Sequence, residues 1–374
     1  MSLLYLDNSA TTPVHPEVKD AMLPFLMEQF GNPSSKYYDY ATVAKNAVNE
    51  ARLAISKLLD CKTEEIIFTS GSTESNNFII KGITDQRKTS GKHIITTATE
   101  HPSVLETCNY LASIGFDLTI LPVDQEGRVS VQQVKEAIRP DTIFITIQWG
   151  NNELGTLNPI PEIATLCQQE QIFLHSDATQ IVGKVAFSLK DTPGLQSISV
   201  SAHKYFGPKG VGIAYLKQDE YSIFPAITPL FHGGGQEHGL RSGTLAVPNI
   251  VGMGVASKIA YTNLHKHIDQ LIELEEYLIQ LLINQFGNNI KFNHPKENKI
   301  PGILSVQFIG LNNEILVKKL APILAVSTGS ACSSAKPSHV LAAIGLELNE
   351  VRQTVRFSLS PYIEKSELDI FKQL

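Results

Sequence analysis

The chain has 374 residues, 43% of them hydrophobic and 18% charged, which describes a globular protein and excludes the disordered, collagenous and membrane-embedded classes. With 31 basic against 37 acidic residues the net charge is -6, so nothing electrostatic favours direct binding to nucleic acid or an anionic membrane. At roughly 150 residues per domain the length allows about two or three domains, each able to bury a core.

The N-terminus, MSLLYLDNSATTP, lacks a basic start followed by a long apolar core, and no stretch reaches the roughly 18 apolar residues of a membrane span, so a cytoplasmic location is expected. The four cysteines, Cys61, Cys108, Cys167 and Cys332, form no CxxC pair. That argues against a disulfide framework or structural zinc, and no metal is expected.

From about residue 50 to 217 helical and strand patterns alternate with short connections. Strands are expected at 66–69, 93–97, 118–122, 143–148, 172–175, 198–201 and 212–216, which predicts an α/β fold with a doubly wound, mainly parallel sheet. An apolar stripe through Ile259, Leu264, Ile268, Leu271, Leu274, Leu278 and Leu282 predicts a long amphipathic helix over about 254–286. Beyond it come a strand at 303–309, a helix at 313–320, a strand at 323–327, a helix near 338–344, a strand at 354–359 and a terminal helix. This mixed tail reads as a smaller α+β domain.

Four segments could carry chemistry. TSGSTESNN at 69–77 places Ser72 and Thr73 at a helix start behind a glycine turn, either as a phosphate cradle or as plain helix caps. It is neither a Walker loop nor a G-x-G-x-x-G fingerprint. HSDATQ at 175–180 puts Asp177 near the carboxyl end of a strand, where it can cap a helix or hold a pyridinium nitrogen protonated, with Gln180 nearby as a neutral hydrogen-bonding group. SVSAHKYFGPKGVG at 199–212 delivers Ser201, His203 and Lys204 to a short loop between apolar strands. Desolvation there would lower the lysine pKa and suit it to Schiff-base formation, phosphate binding being the alternative. STGSACSSAKPSHV at 327–340 surrounds Cys332 with small and polar residues, as expected of an accessible thiol, whereas Cys61, Cys108 and Cys167 read as structural. WGNNELG, around Asn152, and HGGGQEHGLRSGT at 232–244 are further polar clusters that could merely build turns. A phosphate cradle, a carboxylate for a pyridine nitrogen and a lysine for an aldehyde carbon together describe pyridoxal 5'-phosphate.

The blocks YLDNSATTP, FGNPSS, FTSGSTESNN, TEHPSVLETC, NNELGT, HSDATQ, SAHKYFGPKGVG, GGGQEHGLRSGT and GSACSS, in this order, resemble the cysteine desulfurases, which belong to the class-V, fold-type I enzymes dependent on pyridoxal phosphate. The resemblance implies a seven-stranded sheet in a large cofactor-binding domain over 15–255. Residues 1–14 and 256–374 would form a small domain carrying the cysteine loop. By the same resemblance Lys204 is the Schiff-base lysine, Asp177 pairs with the ring nitrogen, Gln180 hydrogen-bonds the phenolic oxygen, and His101 stacks on the ring and helps move protons. Ser72, Thr73, Ser201 and His203 hold the phosphate, joined by Thr244 of a second subunit in a homodimer. Asn152 and Arg356 bind the substrate carboxylate, and Cys332 takes the sulfur of L-cysteine as a persulfide, leaving L-alanine. A sulfur-acceptor protein, either an iron–sulfur scaffold or a thiolation enzyme, is the implied partner. Two features depart from the family pattern: His238 stands where arginine is expected, and the stretch from Cys332 to Pro337 is about two residues short, which at up to about 3.5 Å per residue shortens its reach. Selenocysteine lysis, β-elimination and a non-catalytic scaffold are the competing readings.

Overall fold

The strand-forming runs between residues 66 and 216 are buried on both faces except the partly exposed one at 117–121, so the sheet must be covered by two layers of helices. In the computed structural model, which describes residues 3–329 and 337–373, the chain begins with β1 (Leu4–Tyr5), α1 (Pro16–Met27) and α2 (Asp39–Leu59). It then alternates through β2 (Ile66–Thr69), α3 (Ser72–Arg87), β3 (His93–Thr97), α4 (Pro102–Ser113), β4 (Asp117–Leu121), α5 (Val131–Ala137), β5 (Thr142–Thr146) and α6 (Ile160–Gln169). β6 (Phe173–Asp177), β7 (Ser197–Ser201) and β8 (Gly212–Leu216) complete a seven-stranded sheet of order β2-β8-β7-β6-β5-β3-β4. Every neighbouring pair is parallel except those of β8, which runs antiparallel to both β2 and β7. The mainly parallel doubly wound sheet expected from the sequence is therefore present, with boundaries shifted by a residue or two at 118–122, 143–148, 172–175 and 198–201.

Side-chain alternation along the strands feeds two cores. Ile66 and Phe68, Ile95, Ile145, Ile213 and Tyr215 join the cluster beneath α2, α6 and the start of α7 (Val247–Phe286). Their sequence neighbours Ile67, Ile94, Phe144, Ala214 and Leu216 pack on the other face against α3 and α4. Period-two geometry thus turns continuous apolar runs into a two-faced sheet.

α7 has 40 residues, about 60 Å at 1.5 Å per residue. Its first half, with Val247, Ile250, Met253, Ala256 and Ala260, belongs to the sheet core, and its second half, with Leu271, Leu274, Leu278 and Leu282, belongs to another core. The helix starts seven residues before Gly254, where the apolar stripe alone placed it. Gly254 does not end a helix; it lets α2 approach, since a Cβ there would lie 2.5 Å from the Ala51 Cα. The second core gathers Leu4 and Leu6 with β9 (Ile290–Phe292), β10 (Ile303–Phe308), α8 (Asn313–Leu320), β11 (Leu324–Ala325) and β12 (Thr354–Ser358). α9 (His339–Ala343) and a 3-10 helix over Lys365–Gln373 stand where helices are expected, and a further short helix, α10 (Leu348–Val351), precedes β12. β1 pairs with β11, so the N-terminal strand sits with the C-terminal elements.

Candidate active site

The carboxyl ends of β2, β6 and β7 meet at one edge of the sheet. Gly212, opposite both Thr69 and Ser201 in the ladder, has no room for a side chain: a Cβ would stand 2.7 Å from the Gly71 Cα. This close approach places Ser201, buried at 3% exposure, with Oγ 3.6 Å from the Cβ position of Gly71, the N-cap of α3. Gly71 supplies no side-chain cap, so the first-turn amides of α3 depend on another acceptor, and Ser72 and Thr73 stand at this anion-favouring helix start.

Ser72 and Thr73 open into a cavity of about 240 Å³ that is also lined by His101, Asn152, Asp177, Gln180, His203, Lys204 and Arg356. The sequence reading scattered these nine residues over nearly 300 positions, and the fold brings them together. Thr244 is exposed and does not line the cavity, and neither does Ser201. Cys332 lies outside the described residues. The other three cysteines fit their structural reading: Cys108 and Cys167 are buried, Cys61 is half-buried, and burial pushes all three thiols up.

Asp177 ends β6 at 6% exposure, with Oδ2 accepting from Asn76 Nδ2 (2.8 Å) and Oδ1 from the Thr179 amide (3.0 Å). Asn76 lies on α3 and also donates to Ser103 Oγ at 2.8 Å. Ser103 in turn contacts His101 Nδ1 (2.8 Å), which accepts from the Ser103 backbone amide at 3.1 Å, so the neutral ring carries its proton on Nε2. Burial holds His101 below the ordinary histidine range, Asp177 opposing and Lys204 and His339 adding to the shift. Lys204, on the 3-10 turn after β7, donates to the carbonyls of Ser9 (2.7 Å) and Ala10 (2.8 Å). His203 contacts Thr11 Oγ1 at 3.0 Å, and burial, with nearby Lys204, lowers its pKa to about 4.

On the opposite side Arg356 of β12 is 1% exposed. Its Nη2 donates to Asp7 Oδ1 (2.6 Å), and Nη1 to the carbonyls of Asn152 (3.1 Å) and Gly329 (3.2 Å). Its Nε has no hydrogen-bond partner among the described residues. A buried guanidinium with an unspent donor suits a carboxylate ligand.

Sequence reasoning gave no role to Asn76, Asp7, Ser9, Glu100, Glu153 or Lys184, although most lie inside the motif blocks. Asn76 follows Ser72 by four residues, one helical turn along the same face of α3, and that spacing could have singled it out. Glu100 is fully buried with Oε2 unpartnered among the described residues, and burial raises its pKa to about 8. Glu153 accepts from Ser338 Oγ at 2.5 Å. Lys184 donates to Gln180 Oε1 at 2.9 Å.

The donor set fits pyridoxal 5'-phosphate: a buried carboxylate for the pyridine nitrogen, an amine for the aldehyde, and a helix start without a side-chain cap for the phosphate. The aminotransferase class-V family model matches residues 4–371. Cysteine desulfurase IscS of Dictyoglomus turgidum is 43% identical over 369 residues, covering 98% of this chain and 92% of that protein. Among solved structures, a NifS-like protein is 35% identical with a TM-score of 0.92, covering 100% of this chain and 98% of its own. SspA in complex with cysteine is 39% identical with a TM-score of 0.84, covering 96% and 100%. The agreement of fold, cavity and full-length likeness leads to one conclusion: this chain belongs to the class-V aminotransferase family and, within it, to the cysteine desulfurases that depend on pyridoxal phosphate.

Proposed function

We propose that Lys204 binds the cofactor aldehyde, with Asp177 at the ring nitrogen, Gln180 at the phenolic oxygen, His101 over the ring and Ser72, Thr73, Ser201 and His203 around the phosphate. The reaction is that of the family: L-cysteine gives L-alanine, and the sulfur passes to an enzyme cysteine as a persulfide. The bound cofactor supplies an electron sink. Arg356 and Asn152 orient the substrate carboxylate, and Lys204 and His101 move protons at the substrate. Cys332 attacks the substrate sulfur as a thiolate, and the carbon–sulfur bond breaks toward carbon, which takes up a proton. The observation that carries the assignment is the convergence of Lys204, Asp177, His101 and Arg356 on one cavity.

The division into a large domain over 15–255 and a small one of 1–14 and 256–374 is supported by the two cores joined through α7. A homodimer, with Thr244 reaching the phosphate of the other subunit, is supported by the exposed Leu23, Leu26, Met27, Phe30, Tyr37 and Tyr40 around α1 and α2, an apolar patch suited to a protein contact. Free thiols at Cys61, Cys108 and Cys167 agree with a reducing cytoplasmic setting. Among the described residues no helix is long and apolar enough to cross a membrane. The sulfur goes on to an acceptor protein, an iron–sulfur scaffold or a thiolation enzyme, which pull-down at equal concentrations would identify.

Borohydride reduction followed by mass mapping should place the cofactor on Lys204; label on another lysine overturns the assignment. Cys332→Ala should lose alanine formation from cysteine, and full activity in that variant refutes the persulfide step. Turnover of selenocysteine that exceeds that of cysteine, and that survives Cys332→Ala, would favour selenocysteine lysis instead.

A further inference from the structure

Lys184 is an unusual neighbour for a cofactor site. It follows Gln180 by four residues in the turn after β6, where Gly183, at φ +75°, reverses the chain and carries no Cβ that would crowd Tyr205. Its ammonium makes no ion pair among the described residues and instead donates to the side-chain carbonyl of Gln180 at 2.9 Å. The other end of that amide is also engaged, Nε2 donating to the Ser9 carbonyl at 2.9 Å. Ser9 is at the same time an acceptor for Lys204.

An ammonium can only donate and a backbone carbonyl can only accept, so the two partners fix the Gln180 amide in the same orientation. We propose that Lys184 is a positioning residue that locks the Gln180 amide so that this side chain can offer the cofactor's phenolic oxygen only an N–H. This deepens the reading in which Lys204 and Gln180 hold the cofactor, and rests on it. Nε2 has two hydrogens, one spent on Ser9, which leaves one for an acceptor in the cavity that Gln180 lines. A cation on the amide oxygen also polarises the amide and strengthens that donor. Without Lys184 only the Ser9 carbonyl holds the amide, so the turned-over form, which would present its carbonyl to an oxygen that carries negative charge, becomes accessible. Burial lowers the Lys184 pKa to about 7, and the positive Lys204 and Arg356 add to the shift, so the donor-only lock is complete below neutral pH and weakens as the amine loses its proton above it.

The test uses cofactor-loaded enzyme and reads the visible absorbance of the cofactor–Lys204 chromophore against pH. Loss of a donor to the phenolic oxygen should raise the midpoint of its colour change, so Lys184→Met is expected to move it up by about one pH unit, the size of one hydrogen bond. Lys184→Arg, which keeps a donor-only group, should stay near the parent value. Loss of the nearby positive charge alone could also raise the midpoint, and Gln180→Leu separates the two causes: the Met substitution should have no further effect in that background. An undiminished shift in the double variant, no shift in Lys184→Met, or a shift in Lys184→Arg as large as that of Met would each overturn the proposal. If Lys184→Met does not fold, Lys184→Gln, whose amide can accept as well as donate, takes its place with the same expected rise and the same comparison in the Gln180→Leu background. A parent enzyme without a chromophore on Lys204 sinks the underlying site assignment, whereas a normal chromophore with unmoved midpoints sinks only the role of Lys184.

Discussion

The two sides of the cavity hold opposite charges by different means. The Asp177 carboxylate is gripped by neutral donors, Asn76 on α3 and the amide of Thr179, all built on one edge of the sheet core. The Arg356 guanidinium comes from β12 in the second core and takes partners from three distant segments: Asp7, Asn152 and Gly329. One side is completed by local sheet geometry; the other exists only once the two cores have come together. Substitutions on the Arg356 side should therefore reach global stability, and those on the Asp177 side should stay closer to the cofactor.

The largest effect should follow Asp7→Asn, which leaves Arg356 buried without its counter-charge. Breaking a buried pair in this way costs roughly 3–5 kcal/mol, so thermal unfolding should drop by many degrees with or without cofactor. A melting temperature unchanged in both states would break the comparison. Glu100→Gln comes next and is read as a pH dependence. The folded carboxyl titrates at about 8, above its value of roughly 4.3 when unfolded, so its contribution is fully present below pH 4 and declines as pH rises toward 8. The parent protein should lose roughly 3–4 kcal/mol between pH 5 and 8 through this group, and Glu100→Gln should flatten that decline in denaturant titrations. An unchanged slope would mean that Glu100 is ionised throughout.

Asn76→Ala removes the clamp shared by Asp177 and Ser103. It should cost about 1–2 kcal/mol, appearing chiefly as weaker cofactor retention in dialysis, with a smaller change in melting temperature than Asp7→Asn. An equal loss in both measurements would blur the contrast between the two sides. The smallest effect is expected at His238, exposed and in the left-handed region at φ 59°, its ring tilted against Phe224 at 5.6 Å. The neighbouring Glu237 is already held by Arg52 at 2.6 Å, so His238→Arg should stay within about 0.5 kcal/mol in the isolated subunit. A larger change that depends on protein concentration would locate this residue at a subunit contact.

Much of this was legible in the chain. β2, β3 and β8 have the bounds expected from the sequence, because a segment of four or five residues rich in β-branched and apolar side chains is the pattern of a buried strand. Lys204, Asp177 and Ser72 could be singled out because their chemistry depends on residue type at a strand or helix end. The apolar stripe marks α7 only from about residue 254 because the first turns bury small residues such as Gly254 against α2, a packing surface that only the contact reveals. α1, α2 and β9 carry weaker patterns, and the pairing of β1 with β11 joins positions more than 300 residues apart.

The seven strands of the large sheet, the sheet type and the cofactor chemistry are readable from the chain, since these follow from local periodicity and from side-chain types at strand and helix ends. Only the tertiary structure decided which groups hold those side chains in place: Asn76 on Asp177, Asp7 on Arg356, Lys184 on Gln180. Such partners are chosen by hydrogen-bond distance and burial across the chain, and a polar residue shows no sign of its distant partner until the backbone has brought the two within about 3 Å.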